Sequence, residues 1–148
     1  MVKLATFAEC RPLLGQLWPS GFDFIDNIHG MIHYAGTEYR NMKLQHFLWI
    51  QEGQAVGTTH CYTTGFGLVR VRGTYFIPTT RGKGWAKVLV QTALSHFSDC
   101  HMAYTFPRTG TEQFYQSLGF SIRDWPSPSF ESKHGYGYAE CQLNSHLL

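Results

Sequence analysis

The stretch Ile77–Val90, IPTTRGKGWAKVLV, limits what this chain can fold into more than any other. Pro78 ends whatever strand precedes it, because proline supplies no N–H to a ladder, and Thr79 and Thr80 lead the chain away. Gly82 and Gly84 then flank Lys83 directly before an apolar run. Within that run Trp85, Val88, Leu89, Thr92, Ala93 and His96 recur at i, i+3, i+4, i+7, i+8 and i+11, with Val90, Leu94 and Phe97 widening the stripe. Such spacing predicts a helix packed on a sheet.

A helix entered through glycines presents free backbone N–H groups carrying partial positive charge, so an anion can approach and accept several hydrogen bonds. Arg81 and Lys83 add full charges. The turn therefore has the chemistry of a phosphate receiver, although a plain turn beside two solvated cations has the same composition. It is neither the G-x-x-x-x-G-K-S/T loop nor the G-x-G-x-x-G dinucleotide pattern.

The flanks supply a sheet. HFLWIQEGQAVGTTHCYTT predicts two antiparallel strands joined at Glu52-Gly53-Gln54. Leu68 to Ile77 predicts a third, with Val69, Val71 and Gly73 opposing Arg70, Arg72 and Thr74. Cys100 to Phe106 follows the helix as another short strand, which implies a parallel crossover. Thr109 and Glu112 have capping-box spacing, Phe114 and Leu118 form an i, i+4 pair, and Gly119 marks a stop, so a helix is expected from about Gly110 to Leu118. GYGYAECQL alternates as a last strand. Toward the N-terminus, Thr6 to Trp18 predicts a short helix with Pro12 in its first turn, and Asp23 to His33 a second.

A length of 148 residues suits one domain, alone or as a simple homodimer. With 43% hydrophobic, 16% aromatic and 15% charged residues, the balance excludes a disordered or fibrous chain. A formal net charge of +2 is too small for a dedicated nucleic-acid binder, so RNA binding along Arg70, Arg72, Arg81, Lys83 and Lys87 lacks a wide basic face. Cys10, Cys61, Cys100 and Cys141 are scattered, which fits free thiols in a reducing cytoplasm better than a zinc site or a disulfide framework. The sequence contains no H-E-x-x-H motif, and no metal is expected. No run of eighteen apolar residues occurs, so neither a membrane span nor a secretion signal is expected.

Arg81-Gly82-Lys83-Gly84-Trp85-Ala86 resembles the Q/R-x-x-G-x-G/A signature of the GNAT superfamily of acyl-CoA-dependent N-acyltransferases. FLWIQEGQAVGTTHCY looks like that family's second and third strands, YFIPTTRGKG like its fourth strand and pyrophosphate loop, MAYTF like its fifth strand, and TEQFYQSLGF like its lYeklGF helix end. The likeness runs from about Phe47 to Phe120. It implies an α/β fold with a central, mostly antiparallel sheet of six or seven strands, a splayed parallel pair, and helices on both faces.

The same resemblance implies acetyl-CoA as co-substrate and a primary amine, small molecule or peptide, as acceptor. Backbone contacts to the pantetheine arm fall on Phe76 and Ile77. The pyrophosphate falls on the amides of Arg81, Gly82, Lys83, Gly84, Trp85 and Ala86. Tyr115 occupies the general-acid position, although a helical tyrosine with a core ring and a wet hydroxyl is the plainer alternative. The developing oxyanion would be held by a strand amide near Phe76 or Ile77. Beside the resemblance, His60 is a candidate base, although a strand histidine is more often a hydrogen-bonded wall residue. Arg108 stands where the family often has asparagine, so it either reaches the cofactor phosphates or leaves the arm held differently. The acceptor would be walled by residues 21–39 and 125–130. A non-catalytic acyl-CoA-binding module on the same scaffold is the competing reading.

Overall fold

The computed structural model describes residues 1–19, 43–65, 67–108, 110–123 and 137–143. In chain order its elements are β1 (Val2–Ala5), α1 (Phe7–Leu17), β2 (Leu44–Gln51), β3 (Gln54–Gly65), β4 (Leu68–Phe76), a 3-10 turn at Pro78–Thr80, α2 (Trp85–Ser95), β5 (Met102–Thr105), α3 (Glu112–Ser117), β6 (Ser121–Arg123) and β7 (Tyr138–Gln142). The seven strands form one sheet in the order β1-β2-β3-β4-β5-β7-β6. Among the described strands only β4 and β5 run parallel; every other neighbouring pair is antiparallel. The expected mixed sheet with a parallel pair is thus present.

The β2–β3 hairpin turns on Glu52 and Gly53, both with positive φ (50° and 76°), as a two-residue turn matching strand twist requires. Because side chains alternate along a strand, Phe47 and Trp49 face one side of β2 and Leu48 the other. The first face packs Phe47, Val69, Val71, Leu89, Val90 and Phe97 into the larger core, beneath α2 and α3. The second packs Leu48 against Cys10, Leu13 and Leu14 of α1. Each fully buried aliphatic or aromatic side chain here contributes about 1.5–3 kcal/mol.

Four local expectations are corrected. Pro12 lies inside α1, not in its first turn. The reciprocal capping box of Thr6 and Glu9 and the burial of Cys10, Leu13 and Leu14 outweigh the one backbone bond that proline removes. The buried stripe of α2 is centred on Leu89, Val90, Ala93 and Leu94, leaving Val88 45% exposed. Thr111, not Thr109, stands at the N-cap of α3, and its hydroxyl donates to the Arg108 carbonyl (2.7 Å), while Glu112 accepts from the Gly110 N–H (2.8 Å). Finally β1 and β6, four and three residues long, were not anticipated; such short edge strands carry almost no periodic signal.

The fourth strand departs from simple alternation in the way that matters most for the site. Thr58 pairs with Tyr75 but His60 with Arg72, so β4 carries one extra residue opposite Thr59. Gly73, at φ 68°, forms this bulge. Its Cα faces α1, since a Cβ there would meet His60, Leu14 and Trp18. Thr74 returns to the α2 side, where its hydroxyl meets that of Thr59 at 2.7 Å. The expected grouping of Gly73 with Val69 and Val71 is therefore reversed by the bulge. Arg70 and Arg72 lie on the α1 side; Val69, Val71, Thr74 and Phe76 lie on the other.

The expected helix at Asp23 to His33 and both expected acceptor walls, 21–39 and 125–130, lie outside the described residues, as does Thr109. No helix among the described residues is long and apolar enough to cross a membrane.

Candidate active site

Parallel pairing between β4 and β5 covers only Leu68–Met102, Val69–Ala103 and Arg70–Tyr104. Thr105 makes one last tie, its hydroxyl donating to the Val71 carbonyl at 2.9 Å. Beyond it β4 continues to Phe76 without β5, and the strands part. A cavity of about 540 Å³ fills the opening and passes from one face of the sheet to the other. Thr74, Phe76 and Tyr115 line it on the α2 side, and Arg70, Arg72 and Trp18 on the α1 side.

Phe76 and Ile77, paired in expectation, behave differently. The Ile77 N–H donates to the Val56 carbonyl at 2.9 Å, so it is spent on the sheet, and Ile77 is not part of the cavity wall. That bond makes Phe76 and Gly57 a non-hydrogen-bonded pair, whose backbone groups point away from β3, toward the opening. The Phe76 carbonyl accepts from Arg81 Nε at 2.9 Å. Ile77 is therefore removed as a backbone donor to a bound ligand, and Phe76 keeps an N–H directed into the gap.

The basic turn closes the other end. A second cavity of about 380 Å³ adjoins the first at Phe76, Arg81 and Ala86 and runs along the loop from Thr80 to Lys87, so all six residues from Arg81 to Ala86 line one concavity. Gly82 and Gly84 have φ of 80° and 79°, which L side chains rarely adopt, and no atom lies within 4 Å of where either Cβ would stand. Among the described residues no side chain caps α2, whose first backbone bond is Val88 N–H to the Gly84 carbonyl (3.4 Å). Amides before Val88 thus face outward into the concavity. Arg81 folds back over Tyr75 (5.3 Å), Lys83 lies over Trp85 (4.9 Å), and Trp85 stacks on Trp49 at 5.5 Å and 15°.

Tyr115 sits on α3 with its ring edge-on to Phe114 and Phe120 and its side chain 8% exposed. Burial pushes its phenol above the usual tyrosine range, and the neighbouring Thr74 and Thr105 hydroxyls pull it partly back. It is therefore protonated at neutral pH and can give a proton into the cavity. Thr74 and Thr105 were missed from the sequence because strand threonines are ordinary β-formers, and their convergence on one phenol comes from three separate elements.

His60 is excluded as a base. It is fully buried, with Nδ1 2.8 Å from His46 Nδ1 and Nε2 3.1 Å from the Thr58 hydroxyl. Desolvation, with His46 adding to it, lowers its pKa to about 3, and it does not line the cavity. Arg108 is exposed and on the cavity wall beside Thr111 and Phe114. Among the described residues no group of three His, Cys, Asp or Glu side chains is placed to hold a metal.

The acetyltransferase (GNAT) domain family matches residues 43–122, which span β2 to β6 and include the bulge, the gap, the glycine turn and Tyr115. No curated protein sequence matches the chain. Among solved structures, a GNAT-family acetyltransferase from Staphylococcus aureus Mu50 superposes with a TM-score of 0.74 at 15% identity, covering 97% of this chain and 98% of that one. A GNAT-family acetyltransferase from Elizabethkingia anophelis, with acetyl-CoA bound, gives 0.71 at 15% identity and 97% of both chains. The PaiA N-acetyltransferase of Thermoplasma acidophilum, in complex with coenzyme A, gives 0.66 at 11% identity, covering 97% and 99%. At these identities the likeness is one of fold; the domain match, over more than half the chain, adds lineage. Both agree with a strand pair that parts beside an uncapped helix start, and the chain belongs to the GNAT family of acetyltransferases and is an acyltransferase.

Proposed function

We propose that the protein transfers an acetyl group from acetyl-CoA to a primary amine by direct attack, without a covalent enzyme intermediate. One observation carries this reading: the cavity along the glycine turn at Gly82–Ala86 and the cavity that holds the buried Tyr115 phenol share the wall residues Phe76, Arg81, Ala86 and Phe114. The diphosphate of the co-substrate accepts from those amides at the positive end of α2. The pantetheine arm runs through the β4–β5 gap, and the Phe76 N–H faces the thioester oxygen as charge develops there. The amine attacks the carbonyl carbon, the C–S bond breaks, and the phenol gives its proton to the departing thiolate. Bound acetyl-CoA in the E. anophelis relative supports this choice of acyl donor. Among the described residues the cavity wall holds no carboxylate or histidine.

Four free cysteines, three of them buried, support a cytoplasmic setting, where thiols stay reduced. Thiol release from acetyl-CoA, measured with and without a panel of amines, tests the activity. Tyr115→Phe lowers turnover by about 100-fold or more and leaves acetyl-CoA affinity intact. Unchanged turnover in that variant removes Tyr115 from the chemistry.

A further inference from the structure

The Tyr115 phenol lies in a group of hydroxyls contributed by three strands. Thr74 of β4 and Thr105 of β5 stand beside it and line the same cavity. Thr59 of β3, fully buried, meets Thr74 with the two hydroxyl oxygens 2.7 Å apart. Alternation alone would turn Thr74 toward α1 with Arg70 and Arg72. The extra residue at Gly73 turns it to the phenol side instead.

What each oxygen meets assigns the hydrogens of this group. The Thr105 O–H donates to the Val71 carbonyl at 2.9 Å, so its proton is engaged. Among the described residues the Thr59 hydroxyl has no partner other than Thr74. Were Thr74 the donor of that pair, the Thr59 O–H would be buried with nothing to receive it. Thr59 therefore donates, Thr74 accepts, and the Thr74 O–H is left to point at the phenol oxygen.

We propose that Thr74 is a positioning residue for acyl transfer: its hydroxyl, oriented by Thr59, donates to the Tyr115 oxygen and holds the negative charge left there when the phenol proton passes to the coenzyme A sulfur. The inference rests on the acyl-transfer reading of the cavity. In this step the C–S bond breaks with its electron pair on sulfur, the Tyr115 O–H bond breaks, and an S–H bond forms. Neither threonine ionises. Each donates toward a developing phenolate, and a hydrogen bond to a charged oxygen is stronger than one to a neutral oxygen. Solvent entering the emptied cavity returns a proton to Tyr115.

The test is thiol release from acetyl-CoA with the amine panel in wild type, Thr74→Val, Thr74→Ser and Thr59→Val, each also in the Tyr115→Phe background. Valine keeps the branched strand shape and removes the hydroxyl, whereas serine keeps the hydroxyl. Thr74→Val is expected to lower kcat by about 10-fold or more with acetyl-CoA affinity unchanged in calorimetry, and Thr74→Ser to recover most of it. Thr59→Val, one hydroxyl further away, loses about 3-fold. In Tyr115→Phe the same changes have no further effect, because they act through the phenol. Acetyl-CoA binding reports which variants are folded, and Thr59→Val carries the test where Thr74→Val does not fold. Either valine variant turning over like the wild type, a full-size loss in the Tyr115→Phe background, or a serine variant no better than valine overturns the proposal and leaves acyl transfer standing. No thiol release from the wild type with any amine removes the acyl-transfer reading, and this proposal with it.

Discussion

The helices α1 and α2 are both eleven residues long, and both lie on the central strands, on opposite faces, yet they begin in opposite ways. At α1 the Thr6 hydroxyl accepts from the Glu9 N–H (3.2 Å) and the Glu9 carboxylate accepts from the Thr6 N–H (3.0 Å), so the chain satisfies its own end. Lys3 adds an ion pair to Glu9 at 2.5 Å. At α2 the same positions hold Gly84, in a left-handed conformation, and no capping side chain. A glycine start forgoes roughly 0.3 kcal/mol of local stability relative to a capped one. That sacrifice is made beside a concavity with two cations at its rim, and it is what makes the end available to an outside anion. Beneath α1, meanwhile, the His46–His60 pair is sealed from solvent, whereas beneath α2 and α3 the sheet opens.

Converting one helix start into the other gives the largest expected effect. Gly84→Asp places a carboxylate where the diphosphate would sit, at the cost of holding an L residue at φ 79°, a strain of about 1 kcal/mol that Asp bears better than most. Acetyl-CoA affinity falls by about 100-fold or more in calorimetry, while the backbone strain lowers stability by only about 1 kcal/mol and the protein stays folded. Next is Gly73→Ala at the bulge: the positive φ and a 2.9 Å approach to His60 oppose any Cβ there, so denaturant melts show a loss of about 2 kcal/mol.

The sealed pair beneath α1 gives a pH signature. His60 has a folded pKa near 3 against an ordinary 6.5, so below 6.5 the unfolded chain binds a proton that the folded chain refuses. Its contribution is fully present above pH 6.5 and is lost as pH falls toward 3, at roughly 1 kcal/mol per pH unit. Melting curves from pH 7 to pH 4 show this slope in the wild type and a shallower one in His60→Gln. The smallest effect is Thr6→Ala, which costs about 1 kcal/mol of stability and leaves acetyl-CoA affinity where it was.

How much of this was legible in the sequence depended on the range of the interaction. The glycine turn and the Glu52-Gly53 hairpin are local devices written in a few residues, and both stand where the sequence places them. Tyr115 was located by the motif around it, but the threonines that flank its phenol come from β4 and β5 and carry no local mark. The bulge escaped because Gly73 fits a period-two pattern as well as its neighbours do, and only the pairing with β3 exposes the extra residue. The same bulge decides that Thr74 faces the phenol and that the arginines face away from it. Pro12 misled for the converse reason: a local rule against helix interiors lost to burial of its neighbours under the sheet.

The central claim is that the open start of α2 is an anion seat and the closed start of α1 is not. A calorimetric titration of acetyl-CoA into wild type, Gly84→Asp and Thr6→Ala addresses it directly. The account predicts saturable binding below about 1 mM for wild type and Thr6→Ala, and a loss in Gly84→Asp. Binding by Gly84→Asp equal to that of the wild type, or no heat from the folded wild type at that concentration, would contradict it.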